Sequence, residues 1–289
     1  MPQTNSPGKT PRTAVREAAS RLELSGVPEP RASAEVLMSE LLGRPRGELA
    51  LSSEALSPEE AALYESWVLR RALREPVQRI LGYAYFRNLK LALGEGTLIP
   101  RPDTESVVDA ALEGIDRRGG QCRVLDLGTG SGAIAVSIAD ERPGCEVHAA
   151  DVSGEALQVA RANAADAGRC VQFHRADLAA NLEGLDEKVE LLVSNPPYVA
   201  AAEIDRLEPE VRDWDPRGAL DGGADGLDFY RRLFEEAKPL LAPGADLVFE
   251  VGDGQAEAVL ELGGAAGHEP LGTRRDLAGR ERAALLRRA

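Results

Sequence analysis

The chain has 289 residues, of which 43% are hydrophobic and 28% charged, and its formal net charge is -14. This length suffices for about two domains with buried cores. The negative charge opposes a phosphate backbone, so direct nucleic-acid binding is disfavoured. No stretch approaches the roughly 18 apolar residues of a membrane span, and the N-terminus has no apolar signal segment, so we expect a cytoplasmic location without membrane partners.

Cysteine and histidine are too scattered to indicate a metal site. The chain has three of each, namely Cys122, Cys145, Cys170, His148, His174 and His268. The cysteines do not form a CxxC pair, and the histidines do not form an HExxH motif. We therefore expect neither a metal nor a disulfide framework.

The first part of the chain is predicted to be helical. Residues 1–12 are rich in Pro, Gly, Ser and Thr, which is typical of a disordered tail. Residues 13–75 then place apolar side chains near helical spacing, with prolines between the runs. The segment Ser57-Pro58-Glu59-Glu60 is typical of a helix start, because proline lies just inside the cap and acids follow. We predict a small all-helical domain over residues 13–75.

The pattern then changes from helical to strand-like. Residues 76–100 are rich in Tyr, Phe, Leu and Gly, and a short strand-like run at 89–93 indicates a connector or β-hairpin. Over residues 101–289, apolar strand candidates alternate with helical segments. These candidates are residues 123–127, 147–152, 171–174, 191–194 and 247–251. This alternation predicts an α/β domain with a mainly parallel sheet covered by helices on both faces.

A glycine-rich turn follows the first strand candidate of this domain. Its sequence is Asp126-Leu127-Gly128-Thr129-Gly130-Ser131-Gly132. The three glycines allow the backbone to approach a ligand closely. Asp151 follows Gly132 by 19 residues, at the end of the second strand candidate, where its carboxylate can accept hydrogen bonds from two ribose hydroxyls. The pattern predicts a cofactor that contains adenosine.

The glycine spacing favours S-adenosylmethionine over NAD. The dinucleotide motif is GxGxxG, and its helix N-terminus holds a pyrophosphate. Here the spacing is GxGxG, and the Asp126 carboxylate two residues ahead would repel a pyrophosphate but attract the cationic groups of S-adenosylmethionine. The alternatives are that Asp126 serves only the turn and that Asp151 caps the next helix. Asp177 is expected at the adenine edge or, alternatively, is an ordinary loop acid.

The fourth strand candidate leads into Asn195-Pro196-Pro197-Tyr198, which we call the acceptor box. An amide or arylamine nitrogen is a poor nucleophile because its lone pair is delocalised. Asn195 Oδ1 and the Pro196 carbonyl can each accept one of its N–H bonds and aim the lone pair at a methyl group. Pro197 stiffens the turn, and Tyr198 offers a flat face to a flat acceptor group. The alternative is an ordinary Asn-Pro turn with a surface tyrosine.

Together these motifs resemble the HemK/PrmC family of peptide chain release factor glutamine methyltransferases. The resemblance covers nearly the whole chain after the tail. It rests on residues 76–82 with Phe86, 98–105 (LIPRPDTE), 219–223, 225–227, 250–252 with Gln255, and 276–280, besides the acceptor box.

The resemblance implies a Rossmann-like class I methyltransferase domain of seven strands after the helical domain. It implies methyl transfer from S-adenosylmethionine to the glutamine side-chain nitrogen in the Gly-Gly-Gln motif of release factors. We separately expect the protein to be a monomer. By this resemblance, residues 128–132, Asp151 and Asn195 are expected to contact the cofactor, and residues 195–198 are expected to contact the substrate. Leu178 departs from the family, in which an aromatic residue often follows the acid and stacks on adenine, so a differently tuned cofactor affinity is expected.

Two polar residues of the 98–105 segment are further candidates for the substrate-binding site. Arg101 and Glu105 stand where the chain enters the catalytic domain, and polar groups there can shape the acceptor cleft. The alternative is a surface salt bridge or a helix cap.

Three rival functions remain open. An adenine-N6 DNA methyltransferase uses a similar acceptor box, but the acidic balance and the lack of a long basic segment count against it. A glutamine methyltransferase of a large-subunit ribosomal protein is not distinguished by the acceptor box, so the helical domain must carry that choice. A non-catalytic binding module is disfavoured because the glycine loop, the ribose acid and the acceptor box are all intact.

Overall fold

The computed structural model describes residues 9–51, 53–180, 182, 184–185 and 187–289. The chain forms two compact units, Met1–Gly82 and Tyr83–Ala289. The division falls inside the segment 76–100 that the sequence predicts as a connector. No helix in the described part of the chain is both long and apolar enough to cross a membrane.

The first unit is helical and has its own apolar core. Its helices are α1 (Pro11–Leu24), α2 (Pro30–Leu42), α3 (Pro58–Ala72) and α4 (Val77–Leu81). A reciprocal capping box begins α3: Ser57 Oγ accepts the Glu60 N–H, and the Glu60 carboxylate accepts the Ser57 N–H. Leu22, Leu37 and Val68 are fully buried between the helices.

Helix boundaries differ from those expected at both ends of this unit. Of the predicted tail, residues 1–8 lie outside the described residues, and α1 begins at Pro11 rather than after residue 12. Proline is favoured in the first helical turn because it needs no N–H partner there, and Thr10 caps the helix. At the other end, α4 is a helix in a segment expected to be extended.

The second unit is an α/β domain. A hairpin of β1 (Tyr83–Phe86) and β2 (Leu89–Ala92) precedes α5 (Glu105–Arg117). The main sheet contains β3 (Arg123–Leu127), β4 (Glu146–Asp151), β5 (Gln172–Arg175), β6 (Val189–Ser194), β7 (Leu241–Glu250), β8 (His268–Arg275) and β9 (Glu281–Arg288). The remaining helices are α6 (Ala133–Glu141), α7 (Gly154–Asp166), α8 (Pro209–Arg212), α9 (Asp228–Glu236) and α10 (Ala256–Ala265).

The seven strands have the order β5-β4-β3-β6-β7-β9-β8. The strands β3 to β7 are mutually parallel, whereas β9 is antiparallel to both β7 and β8. The predicted seven-stranded Rossmann-like fold is thus confirmed. The strand order reverses between β3 and β6, and such a reversal opens a crevice at the carboxyl ends of the strands.

Both faces of the sheet are buried. Val124 belongs to a core cluster that includes side chains of α5 and α6, whereas Leu125 and Leu127 belong to a second cluster that includes side chains of α9 and α10. This alternation follows from the two-residue period of a β-strand. The two layers fix the strand ends from which the functional loops emerge.

Candidate active site

A cavity of about 590 Å³ opens at the carboxyl ends of β3, β4 and β6. This volume is in the range usual for small-molecule sites. The predicted site residues on its wall are Arg101, Gly128, Thr129, Gly130, Ser131, Asp151, Asp177, Leu178, Asn195, Pro196 and Pro197. Asp126, Gly132, Glu105 and Tyr198 are not among the lining residues.

The glycine loop needs its glycines for two different reasons. Gly128 and Gly130 have φ values of 75° and 56°, and an added Cβ would meet nothing within 4 Å. Backbone conformation therefore requires them. At Gly132, a Cβ would lie 3.1 Å from the Ala160 Cβ. Gly132 also has a left-handed φ of 83°, so this third glycine serves both the backbone conformation and the close packing of α6 against α7.

Asp151 connects the glycine loop to the next strand. Its Oδ2 accepts the Gly130 N–H at 2.8 Å, and its Oδ1 accepts the Ser153 N–H at 2.9 Å. Each oxygen keeps a further lone pair for another donor. Ser153 itself caps α7, since its Oγ accepts the Ala156 N–H at 3.2 Å. The alternative role of helix cap therefore belongs to Ser153, and Asp151 remains on the cavity wall.

Asp126 lies behind the glycine loop and is fully buried. The Thr129 hydroxyl donates to its Oδ2 at 2.6 Å, while Oδ1 has no hydrogen-bond partner among the residues that the structure describes. Burial raises the pKa of Asp126 to about 7, and the bond from Thr129 opposes this shift. The observed bond supports the turn, and Asp126 does not line the cavity; its contact with a bound cationic group stays a prediction.

The expected adenine end of the cavity combines polar and apolar side chains. Asp177 Oδ1 pairs with the Arg232 guanidinium at 3.0 Å. Leu178 has a left-handed φ of 52°, which directs a buried apolar side chain to the wall. Phe229 and Arg232 of α9 also line the cavity. Sequence reasoning missed both, because nothing in the pattern of a surface helix shows which loop it will meet.

The acceptor box is held by side chains from distant segments. Asn195 Nδ2 donates to Thr104 Oγ1 at 3.3 Å, which leaves Asn195 Oδ1 free of that contact. The Tyr198 hydroxyl donates to Glu250 Oε1 at 3.4 Å, and Gln255 Nε2 donates to the Tyr198 carbonyl at 2.9 Å. Tyr198 therefore directs its hydroxyl to Glu250 and packs beside the core. Thr104 lines the cavity and was not predicted.

A second tight turn packs against the acceptor box. A Cβ at Gly222 would lie 2.8 Å from the Tyr198 Cα and 2.9 Å from the Pro197 carbonyl oxygen. The Gly222 N–H also donates to the Val199 carbonyl at 2.8 Å. The segment 219–223 is thus a close backbone neighbour of the box, which explains why glycine is needed there.

Arg101 and Glu105 have different surroundings. Arg101 lines the cavity and forms an ion pair with Asp215, whose side chain is fully buried. Glu105 begins α5, and its Oε1 accepts the Arg87 N–H at 3.1 Å from the turn of the hairpin. Arg101 thus lies where a residue that shapes the cleft would lie. Glu105 instead makes a structural contact with the hairpin turn.

No metal site is evident in the described ranges. Within them, no group of three or more His, Cys, Asp or Glu side chains is arranged to hold an ion. The expectation that the protein uses no metal stays a prediction.

The parallel sheet with its antiparallel final pair, and the glycine loop at the strand-order reversal, define a class I methyltransferase. Residues 109–208 match the family model of the methyltransferase small domain. The fold is similar to that of a methyltransferase from Pyrococcus furiosus, with a TM-score of 0.51 and 17% identity over 78% of this chain and 98% of that one.

Relatives at higher identity define the family. Residues 13–82 match the model of the PrmC N-terminal domain. The release factor glutamine methyltransferase of Rhodospirillum rubrum is 45% identical over 93% of this chain and 82% of its own length. That of Streptomyces coelicolor is 43% identical over 85% of this chain and 86% of its own length. The chain belongs to the release factor glutamine methyltransferase family.

Proposed function

We propose that this protein transfers a methyl group from S-adenosylmethionine to the side-chain amide nitrogen of the glutamine in the Gly-Gly-Gln motif of peptide chain release factors. The observation that carries the proposal is the orientation of Asn195. Its Nδ2 is engaged by Thr104, so its Oδ1 is available beside the cavity to accept an N–H bond. The names of the relatives at 40–45% identity agree with this substrate.

The residues around the cavity fit the proposed cofactor. The Asp151 carboxylate has lone pairs left for two ribose hydroxyls, and the adjacent glycine loop leaves room for a ligand near its backbone. Leu178 and Ile134 supply apolar surface for an adenine ring. When bound, S-adenosylmethionine supplies an electrophilic methyl group on its sulfonium sulfur.

The chain's own residues act on the amide nitrogen by positioning. Asn195 Oδ1 and the Pro196 carbonyl accept the two N–H bonds and thereby fix the plane of the amide and the direction of its lone pair. With S-adenosylmethionine bound, the amide lone pair would form the new N–C bond as the methyl–sulfur bond breaks, and the nitrogen would release one proton to solvent. The two buried acids with raised pKa values, Asp126 and Glu250, are not on the cavity wall, so neither can act as a general base by direct contact.

Isotope transfer to defined proteins tests the proposal. The enzyme and methyl-labelled S-adenosylmethionine are incubated with a bacterial release factor, with the same factor carrying Gln→Ala in its Gly-Gly-Gln motif, and with large-subunit ribosomal proteins. We expect label only on that glutamine, located by mass spectrometry of peptides. Label on a ribosomal protein but not on the release factor would favour the rival glutamine substrate. Label on neither would refute the proposal. The cytoplasmic location and the monomeric state stay predictions.

A further inference from the structure

Two cysteines lie side by side where β3 and β4 begin. Cys122 directly precedes β3, and Cys145 directly precedes β4. The two strands are parallel neighbours, with Arg123 opposite Glu146. The Glu146 N–H donates to the Cys122 carbonyl at 3.1 Å, in agreement with this register. Cys122 and Cys145 therefore stand one step before a paired position, on strands that lie about 4.8 Å apart.

Both cysteine side chains are on the same face of the sheet. Arg123 and Glu146 form an ion pair at 2.7 Å on one face, so the residues just before them face the other side. On that side, Cys122 belongs to the core cluster that includes side chains of α5 and α6, and Cys145 packs against the same cluster. Cys145 Sγ lies 3.9 Å from the carbonyl oxygen of Gly120, in the turn that leads into Cys122. The two thiols are thus neighbours.

The spacing of the two strands suits a disulfide. Bridged cysteines usually have Cα atoms about 4.4–6.8 Å apart, and this range includes neighbouring strands. The turns before the two strands are also in contact, since a Cβ at Gly144 would lie 3.1 Å from a side-chain carbon of Gln121. Glycines stand in both turns, at 119–120 and 144, and can absorb the small movement that closes a bridge.

The two thiols differ in exposure and in acidity. Cys145 is partly exposed, whereas Cys122 is buried. The neighbouring Cys122 thiol and the charge of Arg142 lower the pKa of Cys145 to about 7, and burial opposes this shift. The same pairing, together with burial, raises the pKa of Cys122. Peroxide reacts with thiolates that it can reach, so Cys145 is suited to react first and Cys122 to react second.

We propose that Cys122 and Cys145 are a peroxide-reactive dithiol site that closes to a disulfide between the starts of β3 and β4. The Cys145 thiolate attacks one oxygen of hydrogen peroxide and breaks the O–O bond, which gives a sulfenic acid and, with one proton, water. The Cys122 sulfur then attacks the Cys145 sulfur and displaces the hydroxyl group, which leaves as water with the Cys122 proton. Two thiols are thereby oxidised to one disulfide, and one peroxide is reduced to two waters.

The dithiol site is independent of the proposed methyl transfer. It lies at the amino ends of β3 and β4, whereas the cavity opens at their carboxyl ends, and neither cysteine lines that cavity. Cys122→Ser and Cys145→Ser should therefore retain methyl transfer. Failure of the proposed function would leave this inference standing, and failure of this inference would leave the proposed function standing.

Peptide mass spectrometry of the full chain tests the proposal. The reduced protein is treated with hydrogen peroxide, the remaining thiols are alkylated, and the protein is digested without reduction. We expect a linked pair of peptides that contain Cys122 and Cys145, and a loss of two of the three free thiols. Cys170→Ser is the matched control, because Cys170 is exposed and lies outside the core cluster, and this variant should form the same link.

Single variants and unfolding separate the two roles. Cys122→Ser should leave a sulfenic acid on Cys145 that dimedone traps, because the second thiol is missing. Cys145→Ser should leave Cys122 reduced, because a buried thiol is shielded from peroxide. Residues 123–144 separate the two cysteines along the chain, so the link should form faster in the folded protein than in urea.

The outcomes are distinct. A Cys122–Cys145 link that forms in the folded protein, together with trapped sulfenic acid on Cys145 in Cys122→Ser, supports the inference. A link that forms only in urea, or that joins Cys170 instead, would overturn it. The inference would also fail if Cys145 stayed fully alkylated at a peroxide concentration that oxidises the exposed Cys170.

Discussion

Asp151 Oδ2 accepts the Gly130 N–H at 2.8 Å, so the acid at the end of β4 and the glycine loop after β3 form one hydrogen-bonded unit. The same carboxylate orients the start of α7 through the Ser153 N–H. The shape of the proposed cofactor site therefore depends on a group that is also expected to bind the ligand.

Asp151→Asn should weaken cofactor binding more than it slows methyl transfer. The amide removes the charge and one acceptor oxygen, and it turns a donor toward either Gly130 or the ribose. Loss of a hydrogen bond to a charged group costs about 1.5–3 kcal/mol, so the Kd of S-adenosylmethionine should rise about 10- to 100-fold in a calorimetric titration. Asp213→Asn, at an exposed acid paired with Arg212, is the control. An unchanged Kd in Asp151→Asn would contradict the assignment.

Asn195→Ala should slow methyl transfer more than it weakens cofactor binding, which is the reverse of the effect expected for Asp151→Asn. It removes the amide that Thr104 orients but leaves Asp151 and the glycine loop unchanged, so cofactor affinity should be largely kept. We expect methyl transfer to a release factor to fall about 100-fold, measured as label on glutamine by mass spectrometry. Transfer at the wild-type rate would show that the acceptor box does not hold the reacting nitrogen.

Gly222→Ala should disturb the acceptor box from outside the cavity. The added Cβ would meet backbone atoms of Tyr198 and Pro197 at 2.8–2.9 Å, and these atoms cannot turn aside as a side chain can. Overpacking of this kind costs about 1–3 kcal/mol, and we expect a lower melting temperature together with slower transfer. The matched control is Gly264→Ala, where the nearest atom is a Pro270 side-chain carbon at 3.7 Å. Equal behaviour of the two variants would exclude a special role for the close approach.

Leu178→Phe should tighten cofactor binding. Leu178 lines the cavity next to Asp177, and a phenyl ring can stack on adenine where leucine only packs. Such aromatic pairs are worth about 0.5–1.5 kcal/mol, so the Kd should fall about 2- to 10-fold. The left-handed φ of 52° disfavours both side chains alike, so backbone strain should not change the comparison. Leu178→Ala should weaken binding, and a Kd that is the same in all three proteins would show that adenine lies elsewhere.

Glu250→Gln should stabilise the protein at alkaline pH. The folded pKa of Glu250 is raised from 4.5 to about 7, so between these values the folded state keeps a proton that the unfolded state has lost. The free energy of unfolding therefore falls as pH rises through this window and stays lower above it. The variant should be more stable by at most about 3 kcal/mol at pH 8 in urea unfolding, with a flatter slope below pH 7. A residual slope from Asp126, whose pKa is also about 7, should remain.

Local patterns predicted five strands of the main sheet. The strands β3, β4, β6 and β7 each contain an apolar run, whereas β5, predicted at 171–174, has the sequence QFHR and Phe173 as its one apolar residue. The strands of the final hairpin were not predicted from apolar patterns. The sequence of β8, HEPLGTRR, has no continuous apolar side and most of its side chains are exposed, whereas β9 contains the apolar run 283–286, which the sequence analysis did not single out. These two strands were expected only from the resemblance to the family. The start of α1 at Pro11 was not predicted either, because a proline is typical both of a first helical turn and of an irregular tail.

Contiguous motifs predicted part of the candidate site. The glycine loop and the acceptor box are each short segments, and the structure brings most of their residues to one cavity. The partners of the acceptor box were not predictable, since Thr104 lies 91 positions from Asn195 and Glu250 lies 52 positions from Tyr198. The pairing of β6 with β7 brings Tyr198 and Glu250 together, and the turn before α5 brings Thr104 to Asn195.

Because the Asn195 amide is oriented with its oxygen free, the proposed site should distinguish glutamine from glutamate. A glutamate side chain presents only lone pairs to Asn195 Oδ1 and the Pro196 carbonyl, and oxygen facing oxygen repels. A release factor whose glutamine has been hydrolysed to glutamate would therefore be refused, although it differs by a single functional group. Methylation would then mark only those copies in which the amide has survived.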